Sequence, residues 1–372
     1  MKRVLIVLLF FVLSPSLCFA SDRDLLKFLV VPFDGPKPLA TSVWTVVYLQ
    51  IWRTLRKAPD PNPSKLSFGD GLVDWDEVQP APITADAAIE RARKNNAQLV
   101  LWGDVYPYQS ALSPRRGVRD DALVQAQLLL PQSAEPRAAK PETWRVTLHT
   151  ATGNDEIVEA DIPQRAYSFD TVVIPQTVAD LYSQPWFLTV YRSTSTREPI
   201  GAIGDTFWAR RHLNEWTQVE LPGRKVGWVR LPKLDSSSSD LVNFCAGVIR
   251  AFRGDWGGTV AKMKLISKST TASWLLKIDS YLYQALAKEK QGASGQDEIA
   301  AALALNPLAA RVAIYAIMSK LAQYQRDKTA HKTEAAEAVL KQLRQIIDRS
   351  QELFDRDDPW YSHVANVVGD LK

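Results

Sequence analysis

The sequence predicts an α+β multidomain protein. It reads as a mixed α/β domain over residues 21–165, a small β-barrel over 182–234 and an all-helical domain over 240–372. Three observations predict this division. Strand-like and helix-like periodicities alternate up to about residue 165. Short apolar–polar alternations, separated by turns rich in glycine and proline, fill 182–234. From Leu241 onward the apolar spacing is helical almost throughout. A length of 372 residues suits two or three domains, and 46% apolar with 23% charged residues is an ordinary globular composition.

The first twenty residues read as a signal peptide. Lys2 and Arg3 precede the apolar run Val4 to Val12, and small residues stand at Cys18 and Ala20 before Ser21. That apolar run is too short for a stable membrane span, and Leu17 before Cys18 argues against lipidation. The expected location is the periplasm, by a Sec-type route, with no membrane span left after cleavage. Losing Lys2 and Arg3 lowers the formal charge from +4 to +2, which does not suggest a nucleic-acid partner. Cys245 is then the one remaining cysteine, so no intrachain disulfide is expected, and its run LVNFCAGVI reads as buried helix.

In the first domain, KFLVVPF (Lys27 to Phe33) reads as a buried strand. Val43, Val46, Val47, Ile51 and Leu55 have helical spacing. GLVDWDEV (Gly71 to Val78) is a possible strand, and Thr84 caps a second helix with Ala87, Ala88, Ile89 and Ala92 on one side. AQLVLWGDVYPY (Ala97 to Tyr108), ALVQAQLLLP and TWRVTLHT follow as strands. The set Ala88, Ala92, Ala97, Leu99, Val100, Gly103 and Val105 resembles the amino-terminal domain of the periplasmic TolB family. That resemblance implies a compact protein-binding domain of the cell envelope. The family's six-bladed propeller is not expected, because no blade repeat follows.

In the second domain, Trp216 and Val219 flank a polar pair, the turn LPGR follows, and Val226, Gly227, Trp228 and Val229 come next. With Arg192, Ser193 and PIGAIGDTF (Pro199 to Phe207) upstream, the pattern resembles the bacterial SH3-like domain. The stretch WARRHLNE before Trp216 is more basic than that family's pattern, and Trp208 is an added aromatic. So small a barrel needs large side chains in its core, and Gly227 permits close backbone approach. Trp216, Trp208 and Phe207 are expected on a shallow peptide- or glycan-binding surface, since aromatic rings give contact area at low entropy cost. Trp228 fits either the core or that surface. Arg210, Arg211 and His212 either attract an acidic ligand or form a solvated loop.

The serine run SSSSD after Asp235 reads as a linker or helix cap. In the third domain, Gly247, Gly254 and Trp256, and later ALALNP (Ala302 to Pro307), resemble tetratricopeptide-like repeats, degenerate in spacing, with one and a half to three hairpins. The resemblance implies protein–protein contact through a concave face; an ordinary helical bundle that buttresses the barrel is the other reading. Thr333 to Phe354 forms an amphipathic helix of mixed charge, which suits packing better than a membrane surface.

No residue pattern points to catalysis. His149, His212, His331 and His363 are scattered, and no zinc motif, nucleophile elbow or phosphate-binding loop occurs. The acid pairs Asp120–Asp121 and Asp357–Asp358 read as solvated turns rather than as glycosidic acids. No cofactor and no metal is expected. The expected function is that of an exported, non-enzymatic envelope adapter or scaffold that binds a protein partner or peptidoglycan. The alternative is an accessory or targeting subunit of a cell-wall hydrolase, or an unrecognised wall hydrolase itself.

Overall fold

The computed structural model describes residues 28–36, 39–55, 84–95, 97, 99–108, 121–129, 144–149, 155–160, 166–173, 188–196, 198–203, 207–231, 236–355 and 357–371. The expected signal peptide, Cys18 and GLVDWDEV lie outside these residues. The described chain is mixed α and β with a helical carboxy-terminal region.

The first sheet is built from β1 (Phe28–Val30), β2 (Leu99–Tyr108), β3 (Asp121–Leu129) and β6 (Ala166–Val173), in the order β1-β2-β3-β6. β1 runs parallel to β2, and the other pairs are antiparallel. Strand periodicity dictates how the sheet is covered, because successive side chains point to opposite faces. Phe28, Val30, Leu99 and Leu101 enter the main core. Leu29, Val31, Val100 and Trp102 face the other way, onto Ala88 and Ala92 of α2 (Ala85–Lys94). Alanine on that helix lets it lie close to the sheet. Thr84 caps α2 as expected, its hydroxyl accepting from the Ala87 N–H at 3.2 Å. The sheet extends past residue 165, since β6 pairs along β3 over eight residues. A separate hairpin, β4 (Trp144–His149) with β5 (Asp155–Ala160), alternates buried and exposed along β4.

α1 (Leu39–Leu55) joins the parts. It packs on β2 and on the carboxy-terminal helix α3 (Ser236–Phe252), and the Trp44 indole N–H donates to the Val30 carbonyl at 3.1 Å. Its aromatic residues also reach the second sheet. That sheet comprises β7 (Thr189–Tyr191), β8 (Pro199–Ala202), β9 (Trp208–Leu213), β10 (Trp216–Leu221) and β11 (Lys225–Arg230), in the order β8-β7-β11-β10-β9. All its pairings are antiparallel, and β8 and β9 stand at its edges, so the described strands form an open sheet rather than a closed barrel.

Seven helices are described beyond residue 235: α3, α4 (Trp256–Ser267), α5 (Trp274–Lys290), α6 (Gln296–Leu305), α7 (Ala310–Thr329), α8 (Thr333–Ser350) and α9 (Pro359–Asp370). Each of α3 to α7 packs against the next helix in the chain across a short turn, so neighbours run antiparallel. The serine run does not form a linker; Ser236 to Asp240 makes the first turn of α3. Serine is tolerated there because the first backbone N–H groups have no helical partners. Asp240 adds a tether, accepting from the Ser269 and Thr271 hydroxyls at 2.7 and 2.6 Å. Gly247 allows α4 close to α3, because a Cβ there would lie 2.7 Å from the Met263 Cε. Gly254 has φ +70° at the α3–α4 turn, and Asp255 caps α4 by accepting from the Gly258 N–H at 3.0 Å.

Candidate binding face

Two aromatic clusters with an arginine stand out, one open and one sealed. The open one covers the outer face of the second sheet. Along β10 burial alternates: Thr217, Val219 and Leu221 point inward, and Trp216, Gln218 and Glu220 are half-buried on the outside. On β11, Gly227 and Val229 are buried, and Trp228 and Arg230 are half-buried on the outside. Gly227 is a packing requirement. A Cβ there would meet the Val190 Cγ1 at 2.5 Å and the Ile200 Cδ1 at 2.7 Å.

Register brings the outer residues together. Trp228 lies opposite Tyr191 on one side and Gln218 on the other, and Gln218 lies opposite Arg211. Trp216 reaches diagonally to Tyr191, with ring centroids 5.8 Å apart at 84°. Such edge-to-face contact holds the indole in one orientation. Arg211, which is exposed, places its guanidinium carbon 5.1 Å from the Trp228 ring centroid, within range of a cation–π attraction.

A β-bulge explains the two neighbouring arginines. Gln218 pairs with Arg211 and Val219 with Ala209, so Arg210 is the extra residue on β9. A bulge re-aims side chains by letting two residues oppose one. Arg210 donates from Nε to Glu220 at 2.9 Å across the strands, which leaves Arg211 as the exposed cation of the pair.

The residues expected at a ligand surface are therefore divided. Trp216, Trp228 and Arg211 share one outer face, together with Tyr191, which the sequence reading passed over. The signal for Tyr191 was its parity in β7, outward beside the inward Val190. Arg210 is committed to Glu220. Phe207 turns inward and is buried, 6.0 Å from Trp44 and 5.7 Å from Tyr48 of α1. His212 also faces α1, 6.2 Å from Trp52. The side chain of Trp208 lies outside what is described. Without Phe207, the described aromatic residues of the surface are Trp216, Trp228 and Tyr191, with Arg211 beside them.

The sealed cluster lies where the helical region covers the first sheet. Arg311 of α7 pairs with Asp279 of α5 at 2.7 Å and donates to the Tyr167 hydroxyl of β6 at 3.3 Å. The Tyr167 and Tyr283 hydroxyls are 3.4 Å apart. Phe244 of α3 packs on Tyr167 at 4.8 Å, and Trp144 of β4 on Tyr315 at 5.6 Å. Asp279, Tyr167, Tyr283 and Tyr315 are all buried. Burial pushes the Asp279 carboxyl up to about 6, against the pull of Arg311. Burial likewise raises Tyr167 and Tyr283 above the ordinary phenol range. Nothing in the sequence flagged this cluster, whose members span residues 144–315.

The remaining reactive groups do not converge. Cys245 is fully buried, and burial drives its thiol far above the ordinary range, so it holds little thiolate. His149 and Asp155 form an exposed pair where β4 meets β5, and His363 contacts the Ile157 carbonyl at 3.2 Å. Burial, and then Asp34, raise the Asp104 carboxyl of β2, where an isolated bridge pairs these two residues. Among the described residues no group of three or more His, Cys, Asp or Glu could hold a metal ion. No described helix is long and apolar enough to cross a membrane. No family model matches the chain, and neither a curated protein nor a solved structure matches it.

Proposed function

We propose that this protein is an exported, non-catalytic adapter of the bacterial cell envelope, and that the outer face of its second sheet holds a protein segment or peptidoglycan. One observation carries the reading: Trp216, Trp228, Tyr191 and Arg211 gather on one outward face. Rigid aromatic rings supply contact area at low entropy cost, and an exposed guanidinium suits a carboxylate on the ligand. The five strands are read as a bacterial SH3-like unit, the first sheet as a TolB-like domain and the paired helices as tetratricopeptide-like hairpins. On this reading the helical region does not offer its inner face to a partner, because the chain's own strands β4, β5 and β6 cover that face. The partner is left to the second sheet.

The test is co-sedimentation with purified peptidoglycan and capture from envelope extracts, each with the intact chain and with Trp216→Ala and Trp228→Ala. The expected result is saturable binding in one of the two assays, weakened by both variants. Absence of binding in both assays sinks the reading. Clearing of wall material in a zymogram would instead favour a hydrolase.

A further inference from the structure

The helical region is asymmetric end to end. Its exposed large apolar side chains are Leu265, Trp274, Leu275, Leu305 and Leu308, exposed by 50, 52, 51, 43 and 75%. All five flank just two turns, α4–α5 and α6–α7. Because α3 to α8 alternate in direction, these two turns open at the same end. The opposite end carries the α3–α4, α5–α6 and α7–α8 turns and shows no exposed large apolar side chain among the described residues.

Charge follows the same division. From Trp256 to Ile278 the ionisable residues are Lys262, Lys264, Lys268 and Lys277, with no acid among them. Lys262 bonds to Asn243 at 3.1 Å, while Lys264 and Lys268 are exposed beside Leu265. The α6–α7 turn, Asn306 to Ala309, carries no charge. At the opposite end, acids and bases mix around the turns, as in Glu289, Lys290, Asp297 and Glu298. The α8–α9 turn opens at the same end as the α4–α5 turn and is acidic, with Asp355, Asp357 and Asp358, so the basic residues belong to the α4–α5 turn alone.

The patch is also held in place. The Asp240 tether fixes Ser269 and Thr271 in the α4–α5 turn, and Ser273 caps α5 by accepting from the Leu276 N–H at 3.3 Å. Trp274 and Leu275 stand in the first turn of α5 and are not covered by it.

We propose that this end of the helical region docks onto an anionic lipid bilayer. Trp274, Leu275 and Leu265 enter the interfacial layer, and Lys264, Lys268 and Lys277 meet the lipid phosphates. Tryptophan is favoured at that depth because its ring is apolar and its N–H polar. Exposed lysines are drawn to an anionic surface, and Asp240 beside this turn is buried. Leu308, the most exposed of the five, makes a second contact.

The experiment is flotation of the intact chain with vesicles of phosphatidylcholine alone and with vesicles containing phosphatidylglycerol, at low and high salt. At least about tenfold stronger partitioning onto the anionic vesicles is expected, reduced by salt. Trp274→Ser with Leu275→Ser, and separately Lys264→Glu with Lys268→Glu, should each reduce it about tenfold. Leu308→Ser should reduce it less, and Trp216→Ala should leave it unchanged. Lys264, Lys268, Trp274, Leu275 and Leu308 are solvent-exposed, and circular dichroism checks that the variants fold. Equal partitioning on both vesicles, no partitioning, or retention in the double variants overturns the proposal. So does a change in oligomeric state in the Trp274 variant without vesicles, which would make the patch a contact between copies. Capture of an acidic protein through this patch without vesicle binding overturns it as well.

Discussion

The outer face of the second sheet and the junction beneath the helical region use the same chemistry in opposite settings. Each sets an arginine among aromatic rings. Arg211 is exposed beside Trp228 and Trp216. Arg311 is enclosed by Tyr167, Tyr283 and Tyr315 and faces the buried Asp279. The difference lies in what covers each. Helix α3 packs on β6 and α7 on β4 and β5, and Tyr283 and Arg311 reach Tyr167 beneath them, so the polar groups there must satisfy one another. Nothing described covers the outer side of β10 and β11, so the same residue types remain available for a ligand. Aromatic and arginine content alone therefore cannot tell an interface within the chain from a surface for another molecule.

The largest test of that contrast is Arg311→Ala. Removing one partner of a buried ion pair leaves the other uncompensated, at a cost of about 3–5 kcal/mol. A fall of that size in the unfolding free energy from urea titration is expected, whereas Arg211→Ala should change stability by less than about 1 kcal/mol. Equal losses from both would break the comparison. Arg311→Met combined with Asp279→Leu sharpens it, since apolar replacement of the whole pair should recover most of the stability.

The sealed cluster should also show in pH dependence. The folded-state carboxyl of Asp279 sits at about 6 against an ordinary 3.8, so the folded chain holds that proton more tightly than the unfolded chain. Its stabilising contribution is complete below about pH 4 and is lost as pH rises through about 6. Two pKa units correspond to about 3 kcal/mol. Denaturation of the wild type and of Asp279→Asn between pH 4 and 7.5 should therefore diverge by an amount of that order. Parallel curves would show that Asp279 titrates as a solvated group.

Under the outer face, Gly227→Ala should cost about 1–3 kcal/mol, because the new methyl meets Val190 and Ile200. It should act on stability, measured by thermal melts. On the face itself the expected effects are on binding. Trp216→Ala or Trp228→Ala should weaken the ligand found by sedimentation or capture at least about tenfold, or ~1.4 kcal/mol, with little change in melting temperature. The smallest effect is expected from Arg210→Ala, below about 1 kcal/mol in stability, because its pairing with Glu220 is partly solvated.

Much of the local structure was legible in the sequence. Val43, Val46, Val47, Ile51 and Leu55 marked α1, Thr84 marked the start of α2, a strongly apolar run marked β2, and alternation marked β3 and β4. The turn LPGR appeared where β10 meets β11, with Gly223 and Arg224 both at positive φ. The serine run suits a linker or a helix start alike, and the tertiary contacts of Asp240 with Ser269 and Thr271 go with the helix start. The binding face was legible in part. Trp216 and Trp228 were marked by spacing, while Tyr191 needed the strand order that places β7 beside β11.

What the sequence determined by itself is the periodicity of each segment, because residues two apart on a strand or three to four apart on a helix are neighbours whatever else the chain does. It could not decide that Phe207 would be covered by Trp44 and Tyr48. Nor could it show that a bulge would divide Arg210 from Arg211, or that Asp279 would meet Arg311 beside Tyr167. Those outcomes depend on which surfaces pack over one another, and packing joins residues far apart in the chain. Burial is a property of the assembled layers, and it decided which aromatic cluster became an interior joint and which remained an open face.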